Sequence, residues 1–175
     1  MGKPSRKPNF QEGQMADVNT LEEKLAEVLG LAQAAQAATE KVEGLVEDDE
    51  IKQRLRQMRE EAEETERRCT DLADERDGKK TAILEKARET KAEAEDMMKT
   101  YLGEDADGLD GFEFLTMAEA GEVGHWAVLG KLNDSAGEQP VAELVRWALP
   151  IQERHFETVK SCALELAAEE DPYEE

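Results

Sequence analysis

The chain has 175 residues, of which 39% are hydrophobic and 37% charged, and its formal net charge is −21. This length fits one domain with a tail. The excess of acid repels the phosphates of nucleic acids and of anionic membranes, so neither is an expected partner. No stretch reaches the length of a membrane span and the first residues lack the apolar core of a secretion signal, which predicts a cytoplasmic protein.

The two ends of the chain differ in composition from its middle. Residues 1–18 are polar and contain two prolines, which predicts a disordered tail with Met15 as a second candidate start. Residues 19–171 are predicted to form the helical domain, and 172–175 a short, frayed acidic tail.

Apolar residues at helical spacing predict five helices, of which three lie in the first two thirds of the chain. The first opens with a capping box from Thr20 to Glu23 and ends at the acidic turn 47–49. The second runs to the break at Asp77-Gly78. The third, over 79–103, has a thin apolar stripe and is predicted to pack on the outside.

The last two helices are predicted as a second hairpin. One covers 112–133 and ends in the segment 133–137, and the other covers 140–170. Pro140 suits the first turn of the last helix, whereas Pro150 is expected to kink or split it. Short connections within both pairs predict two antiparallel hairpins that pack as a four-helix bundle.

Polar side chains interrupt the apolar faces of the last two helices. Glu122 lies at the centre of one face, with Glu119 and His125 on its flanks. His155 lies at the centre of the other face, with Gln152 one turn away. Burying carboxylates costs several kcal/mol unless they are paired, protonated or bound to a metal, so this pattern predicts a functional or tightly paired cluster.

Counting residues outward from each hairpin turn places these side chains at one height in the bundle. The first hairpin adds an amide and a carboxylate at the same height. The predicted layer consists of Gln36, Glu61, Glu119, Glu122, His125, Gln152 and His155. Carboxylate and imidazole in a bundle core are the ligands of di-iron and di-manganese proteins. The alternative is a purely structural role, in which a buried Glu122–His155 pair is completed by hydrogen bonds from the two glutamines.

Two segments of the chain resemble a known family. Residues 118–126 (AEAGEVGHW) are similar to the third-helix motif of the bacterial stress-response ferritin-like family of unknown activity, and residues 149–155 (LPIQERH) to its Glu-x-x-His fourth-helix motif. The likeness to rubrerythrin is more distant. The resemblance covers residues 20–170, and implies an all-α, ferritin-like antiparallel four-helix bundle with one extra polar helix between the hairpins. It also implies non-haem iron or manganese chemistry: metal binding, metal oxidation or removal of peroxide under stress.

The chain departs from the family pattern at three places. Gln36 and Gln152 stand where the family has glutamate, and the segment 61–64 (EAEE) lacks the family's histidine. Because amides carry no charge to balance two ions, the resemblance implies one iron or manganese ion rather than two. The expected ligands are Glu61, Glu119, Glu122, His125 and His155. The alternative, a vestigial site without metal, leaves a helical bundle that acts through protein contacts, for example as a homodimer.

Overall fold

The computed structural model describes residues 16–174, so the predicted tail and Met15 lie almost wholly outside the described residues. The described residues form five helices and no strand, which confirms the all-α prediction. The helices are α1 Thr20–Glu43, α2 Asp49–Asp74, α3 Lys80–Tyr101, α4 Gly108–Ala136 and α5 Gln139–Ala167. Within this part of the chain, none of the five has the length and apolar character needed to cross a membrane.

The start of α1 lies one residue from its predicted cap. The side chain of Asn19 accepts from the backbone N–H of Glu22, and the Glu22 carboxylate accepts from the N–H of Asn19, each at 2.9 Å. The predicted box from Thr20 to Glu23 is therefore wrong by one position, because asparagine before threonine supplies the stronger cap. The acidic start of α2 is confirmed, since the Asp48 carboxylate accepts from two backbone N–H groups of its first turn.

The α4–α5 turn depends on Gly137 and Asn133. Gly137 ends α4 with φ +66, a left-handed conformation that glycine adopts without steric cost. The buried Asn133 side chain donates to the carbonyl of Glu138 at 2.9 Å and accepts from its N–H at 3.2 Å. Both helices of this hairpin differ from their predicted bounds. Asp107 caps α4, which begins four residues before its predicted start, and α5 ends at Ala167 instead of at residue 170.

Pro150 neither ends nor splits α5, which continues from Gln139 to Ala167. The prediction of a split was wrong. The proline ring lies on an exposed part of the helix surface, where the carbonyl that loses its internal partner is accessible to water.

Each of α1, α2, α4 and α5 packs against two others of this group: α1 against α2 and α4, and α5 against the same two. α3 packs along α1, touches α2 and α4 only briefly, and does not reach α5. Its first half is nevertheless part of the core, because Ala82, Ile83 and Ala87 are buried. The outside position predicted from its thin stripe therefore holds only for its second half.

The core is divided along the helix axes into two apolar clusters. One contains Leu25, Trp126 and Leu144, and the other contains Leu55 and Phe112. The helices α1, α2, α4 and α5 each run through both clusters. Between the clusters these helices cross a belt whose buried side chains are alanine or polar, and the candidate site lies in this belt.

Candidate functional site

On α4 and α5, four polar side chains are buried in the belt between the two clusters. Glu119, Glu122, Gln152 and His155 expose 2%, 4%, 1% and 2% of their surface. The first two lie on α4 and the other two on α5. The predicted inward orientation of these four residues is confirmed.

The imidazole of His155 lies between two carboxylates from different helices. Its Nε2 is 3.3 Å from a carboxylate oxygen of Glu61 on α2, and its Nδ1 is 3.7 Å from Oε2 of Glu119 on α4. Because the two ring nitrogens point to opposite sides of the ring, the two carboxylates are held apart. His155 therefore lies between a carboxylate of α2 and a carboxylate of α4, and the two carboxylates do not share one binding position.

Glu61 is held as a charged group by Arg154 of α5. The guanidinium donates to both carboxylate oxygens, at 3.0 and 2.6 Å, and Gln57 donates to one of them at 3.0 Å. Burial would raise the pKa of Glu61, but the Arg154 hydrogen bonds and the charge of His155 outweigh it, so the pKa is lowered. Glu61 thus remains ionised beside the ring of His155.

Burial shifts the pKa values of Glu119, Glu122 and His155 so that their charged forms are disfavoured. It raises the pKa of Glu122 to about 8, and raises that of Glu119 well above its ordinary value with a further contribution from repulsion by Glu122. Burial also lowers the pKa of His155, and Arg154 adds to this effect although Glu61 opposes it. In the metal-free layer burial therefore favours the protonated form of the two acids and the neutral form of the imidazole.

Several polar atoms of this layer lack a hydrogen-bond partner in the protein. They include Oε2 of Glu119, Oε2 of Glu122, Oε1 of Gln152 and Nε2 of His155. An unpartnered buried polar atom costs about 1–3 kcal/mol, and native proteins contain few of them. Nε2 of His155 lies 3.3 Å from Glu61 without forming a hydrogen bond, so the three side-chain oxygens are the atoms that a bound species would complete.

Gln36 does not face this cluster, although the heights predicted that it would. Its amide donates to Glu66 of α2 at 2.5 Å, and Gln33 donates to the other oxygen of the same carboxylate at 3.1 Å. Glu66 was absent from the predicted layer. The one signal that points to it is the pair of glutamines three residues apart on the facing side of α1.

His125 also lies apart from the buried cluster, which corrects its predicted place in the layer. Its side chain is 43% exposed, and its Nδ1 lies 3.1 Å from a carboxylate oxygen of Glu27 on α1. Three residues beyond Glu122, it is rotated by roughly 60° around α4 and raised by almost one turn. That offset is sufficient to move it from the core to the surface.

A groove between α1, α3 and α4 leads from the surface to the two buried acids. Its volume is about 430 Å³, and Glu119 and Glu122 are among its lining residues. Its apolar walls include Leu31, Ala35, Ala94, Met98, Leu115 and Ala118. The buried layer is therefore accessible to a small solute from one side of the molecule.

Within residues 16–174, no three histidine, cysteine, aspartate or glutamate side chains come close enough together to hold a metal ion. The divergence of the two ring nitrogens explains this, because it separates Glu61 from Glu119. One pair of side chains, His155 and Glu119, is nevertheless spaced for a single ion. Two donors about 2.1 Å from one ion lie at most about 4.2 Å apart, and Nδ1 of His155 lies 3.7 Å from Glu119.

No protein-family model matches this chain, and no curated protein matches it either. The ferritin-like resemblance therefore remains a prediction from the two segments of α4 and α5 that carry it.

Proposed function

We propose that the protein is a ferritin-like metal-binding protein that takes one iron or manganese ion in its buried layer. The observation that carries this proposal is the pair of unpartnered buried carboxyl oxygens of Glu119 and Glu122, with Nδ1 of His155 3.7 Å from that of Glu119. Two carboxylates and one imidazole are donors that suit either metal. A bound ion would replace the acid protons and offset the cost of burying the charges.

In this proposal Glu61 positions His155 and is not itself a ligand. Histidines that bind metals usually direct their other ring nitrogen to a carboxylate, which selects the tautomer and fixes the ring. Glu61 lies 3.3 Å from Nε2, so a small turn of the ring would complete that hydrogen bond and leave Nδ1 for the metal. Arg154 neutralises Glu61 and holds it in place.

The count of one ion rests on the charges available in the layer. Gln36, which stands where the family has glutamate, is already bonded to Glu66, and Gln152 is an uncharged amide. Glu119 and Glu122 together supply two negative charges, which balance one divalent ion. Bound iron or manganese would supply the redox chemistry for metal oxidation or the removal of peroxide.

Metal titration tests the proposal with the two histidines as a matched pair. Protein freed of metal by a chelator and then loaded with Mn²⁺, or with Fe²⁺ under anaerobic conditions, is expected to bind near one equivalent per chain. His155→Ala is expected to abolish binding, because it removes the imidazole beside Glu119. His125→Ala is the control and is expected to retain one equivalent, because that ring pairs with Glu27 outside the layer.

The measurements are metal content after gel filtration and the heat of titration, with circular dichroism to show that both variants stay helical. Loss of binding in both histidine variants, or two equivalents in the unaltered chain, would contradict the proposed ligand set.

The absence of a converged three-ligand group in the described part of the chain favours a second candidate, a metal-free bundle that acts through protein contacts. Met97, Tyr101 and Met117 are large apolar side chains exposed near the groove, where a partner would cover them. No metal uptake, together with unchanged thermal stability on adding iron or manganese, would favour this candidate.

A further inference from the structure

We propose that the groove between α1, α3 and α4 binds an amphiphilic organic cation, a primary amine with an unbranched apolar chain. The ammonium group would lie at Glu119 and Glu122, and the chain along the apolar walls. This inference goes beyond the metal proposal and does not rest on it, although both use the same two acids.

The groove has the size and lining of a small-molecule site. Its volume of about 430 Å³ lies within the range of roughly 300–1,000 Å³ that is typical of ligand pockets. The walls consist mainly of alanine, leucine, methionine and phenylalanine side chains, and Met97 and Met117 at its edge are 49% and 38% exposed. Methionine adapts its shape to different ligands, so this lining suits a flexible chain.

The charge of the groove selects the head group. Its acidic lining residues are Glu27, Glu93, Glu95, Glu119 and Glu122. The basic side chain that lines it, His125, is already paired with Glu27. Lys24 and Lys91 pair with Glu27 and Glu95, so the net negative charge of the groove rests on Glu93 and on ionisation of the two buried acids. This charge favours a cation over an anion of the same shape.

The two acids at the inner end distinguish an amine from a neutral apolar molecule. Glu119 and Glu122 are nearly fully buried, and one oxygen of each has no partner. An ammonium group has three N–H donors, enough for both oxygens, and its charge stabilises the ionised form of the acid that it contacts. An alcohol supplies at most one donor and no charge.

The first test compares three eight-carbon probes on protein kept metal-free with a chelator. Calorimetric titration at pH 8 is expected to show that octylamine binds about tenfold tighter than 1-octanol or more, and that octanoate does not bind. Equal affinity for the amine and the alcohol, or no binding of the amine, would overturn the proposal.

Charge-matched variants locate the head group. Glu122→Gln keeps the shape of the side chain and is expected to weaken octylamine binding about tenfold or more. Glu113→Gln removes the same charge from an exposed position of α4 outside the groove, and is expected to leave the affinity unchanged. Equal weakening by both variants would mean general attraction by the acidic surface, and would overturn the assigned site.

Groove-filling variants separate this inference from the metal proposal. Ala94→Leu places extra volume in the groove and is expected to abolish octylamine binding while metal uptake is unchanged. Ala92→Leu, on the exposed side of α3, is the control and is expected to bind the amine normally. His155→Ala is expected to show the converse, loss of metal with the amine still bound. Amine binding that survives Ala94→Leu would place the ligand elsewhere and overturn the proposal.

Discussion

At the residue scale, the buried layer contains titratable groups whose burial opposes their charged forms. Glu119 and Glu122 are acids with raised pKa values, and His155 is a base with a lowered one. Burial therefore favours the neutral form of each group in the folded metal-free protein, and each costs stability when the pH favours its charged form. Glu122 lowers stability as the pH rises above about 5 and His155 lowers it as the pH falls below about 6.5, so their effects oppose each other between these values.

The pH dependence of stability should reveal Glu122 directly. Its ordinary pKa is near 4.5 and its folded pKa is about 8, so the folded state holds more protons between these values. The contribution of Glu122 to stability is therefore expected to fall as the pH rises from about 5 to about 8, by up to about 1.4 kcal/mol per pH unit for one such proton. Above about pH 6.5, where His155 no longer opposes this effect, total stability is expected to fall. Glu122→Gln should flatten this decline, as measured by urea unfolding in the presence of a chelator.

Stability at acidic pH provides the internal control for that experiment. The pKa of His155 is lowered from an ordinary value of 6.5, so the unfolded chain takes up its proton first and stability is lost as the pH falls below about 6.5. Glu122→Gln should make this loss more apparent, because it removes the opposing contribution of Glu122, whereas Glu113→Gln should leave the whole pH profile of stability unchanged. Parallel curves for Glu122→Gln and the unaltered chain would contradict the assignment of a buried, protonated acid.

At the element scale, the contact between α1 and α3 depends on the absence of one side chain. A Cβ atom at Gly30 would lie 2.4 Å from the carbonyl oxygen of Ala87 and 2.8 Å from Cβ of Thr90. Both neighbours belong to α3, and the first is backbone, so they cannot yield without moving the helix. This close approach brings the first half of α3 into the core in spite of its thin apolar stripe.

Two glycine substitutions should therefore have opposite effects on stability. Gly30→Ala is expected to lower the free energy of unfolding by about 1–3 kcal/mol, since it overpacks the α1–α3 contact. Gly124→Ala, on α4, meets nothing within 4 Å and is expected to raise it by about 0.5–1 kcal/mol through helix propensity. Both values are measured by urea unfolding, and stabilisation by Gly30→Ala would show that α3 does not pack as described.

At the scale of the whole molecule, the charge of −21 opposes the compact state. Some acids are compensated locally: Arg76 at the end of α2 binds both Glu22 of α1 and Glu138 beside α5. With 43 acids and 22 bases, however, repulsion exceeds attraction over the chain as a whole. Screening by salt should therefore stabilise the fold more than it weakens the ion pairs.

Raising sodium chloride from 20 to about 500 mM is expected to stabilise the protein by about 1 kcal/mol, or roughly 2–4 °C in Tm for a chain of this size. Differential scanning calorimetry measures the shift. Tetramethylammonium chloride at the same concentration should act similarly, because screening does not depend on the identity of the cation. A fall in Tm with either salt would mean that the ion pairs dominate.

Helical periodicity alone determined the elements and the faces they bury. Each helix had an apolar face that could be found by counting along the chain, and the inward positions of Glu119, Glu122, Gln152 and His155 followed from the same count. Counting from the hairpin turns also gave their common height, because the rise per residue is constant. These properties are local, so they need no knowledge of neighbouring helices.

Only the tertiary structure decided which atoms meet. The sequence placed Gln36 and His125 in the buried layer, whereas the structure pairs one with Glu66 and the other with Glu27. It also set Glu61 and Glu119 on opposite sides of His155, and opened a groove beside α3. The physical reason is that such contacts depend on the rotation and spacing of helices that are distant in sequence, to within an ångström or two. A periodic pattern identifies the face of a helix, but not the neighbour that each atom on that face will meet.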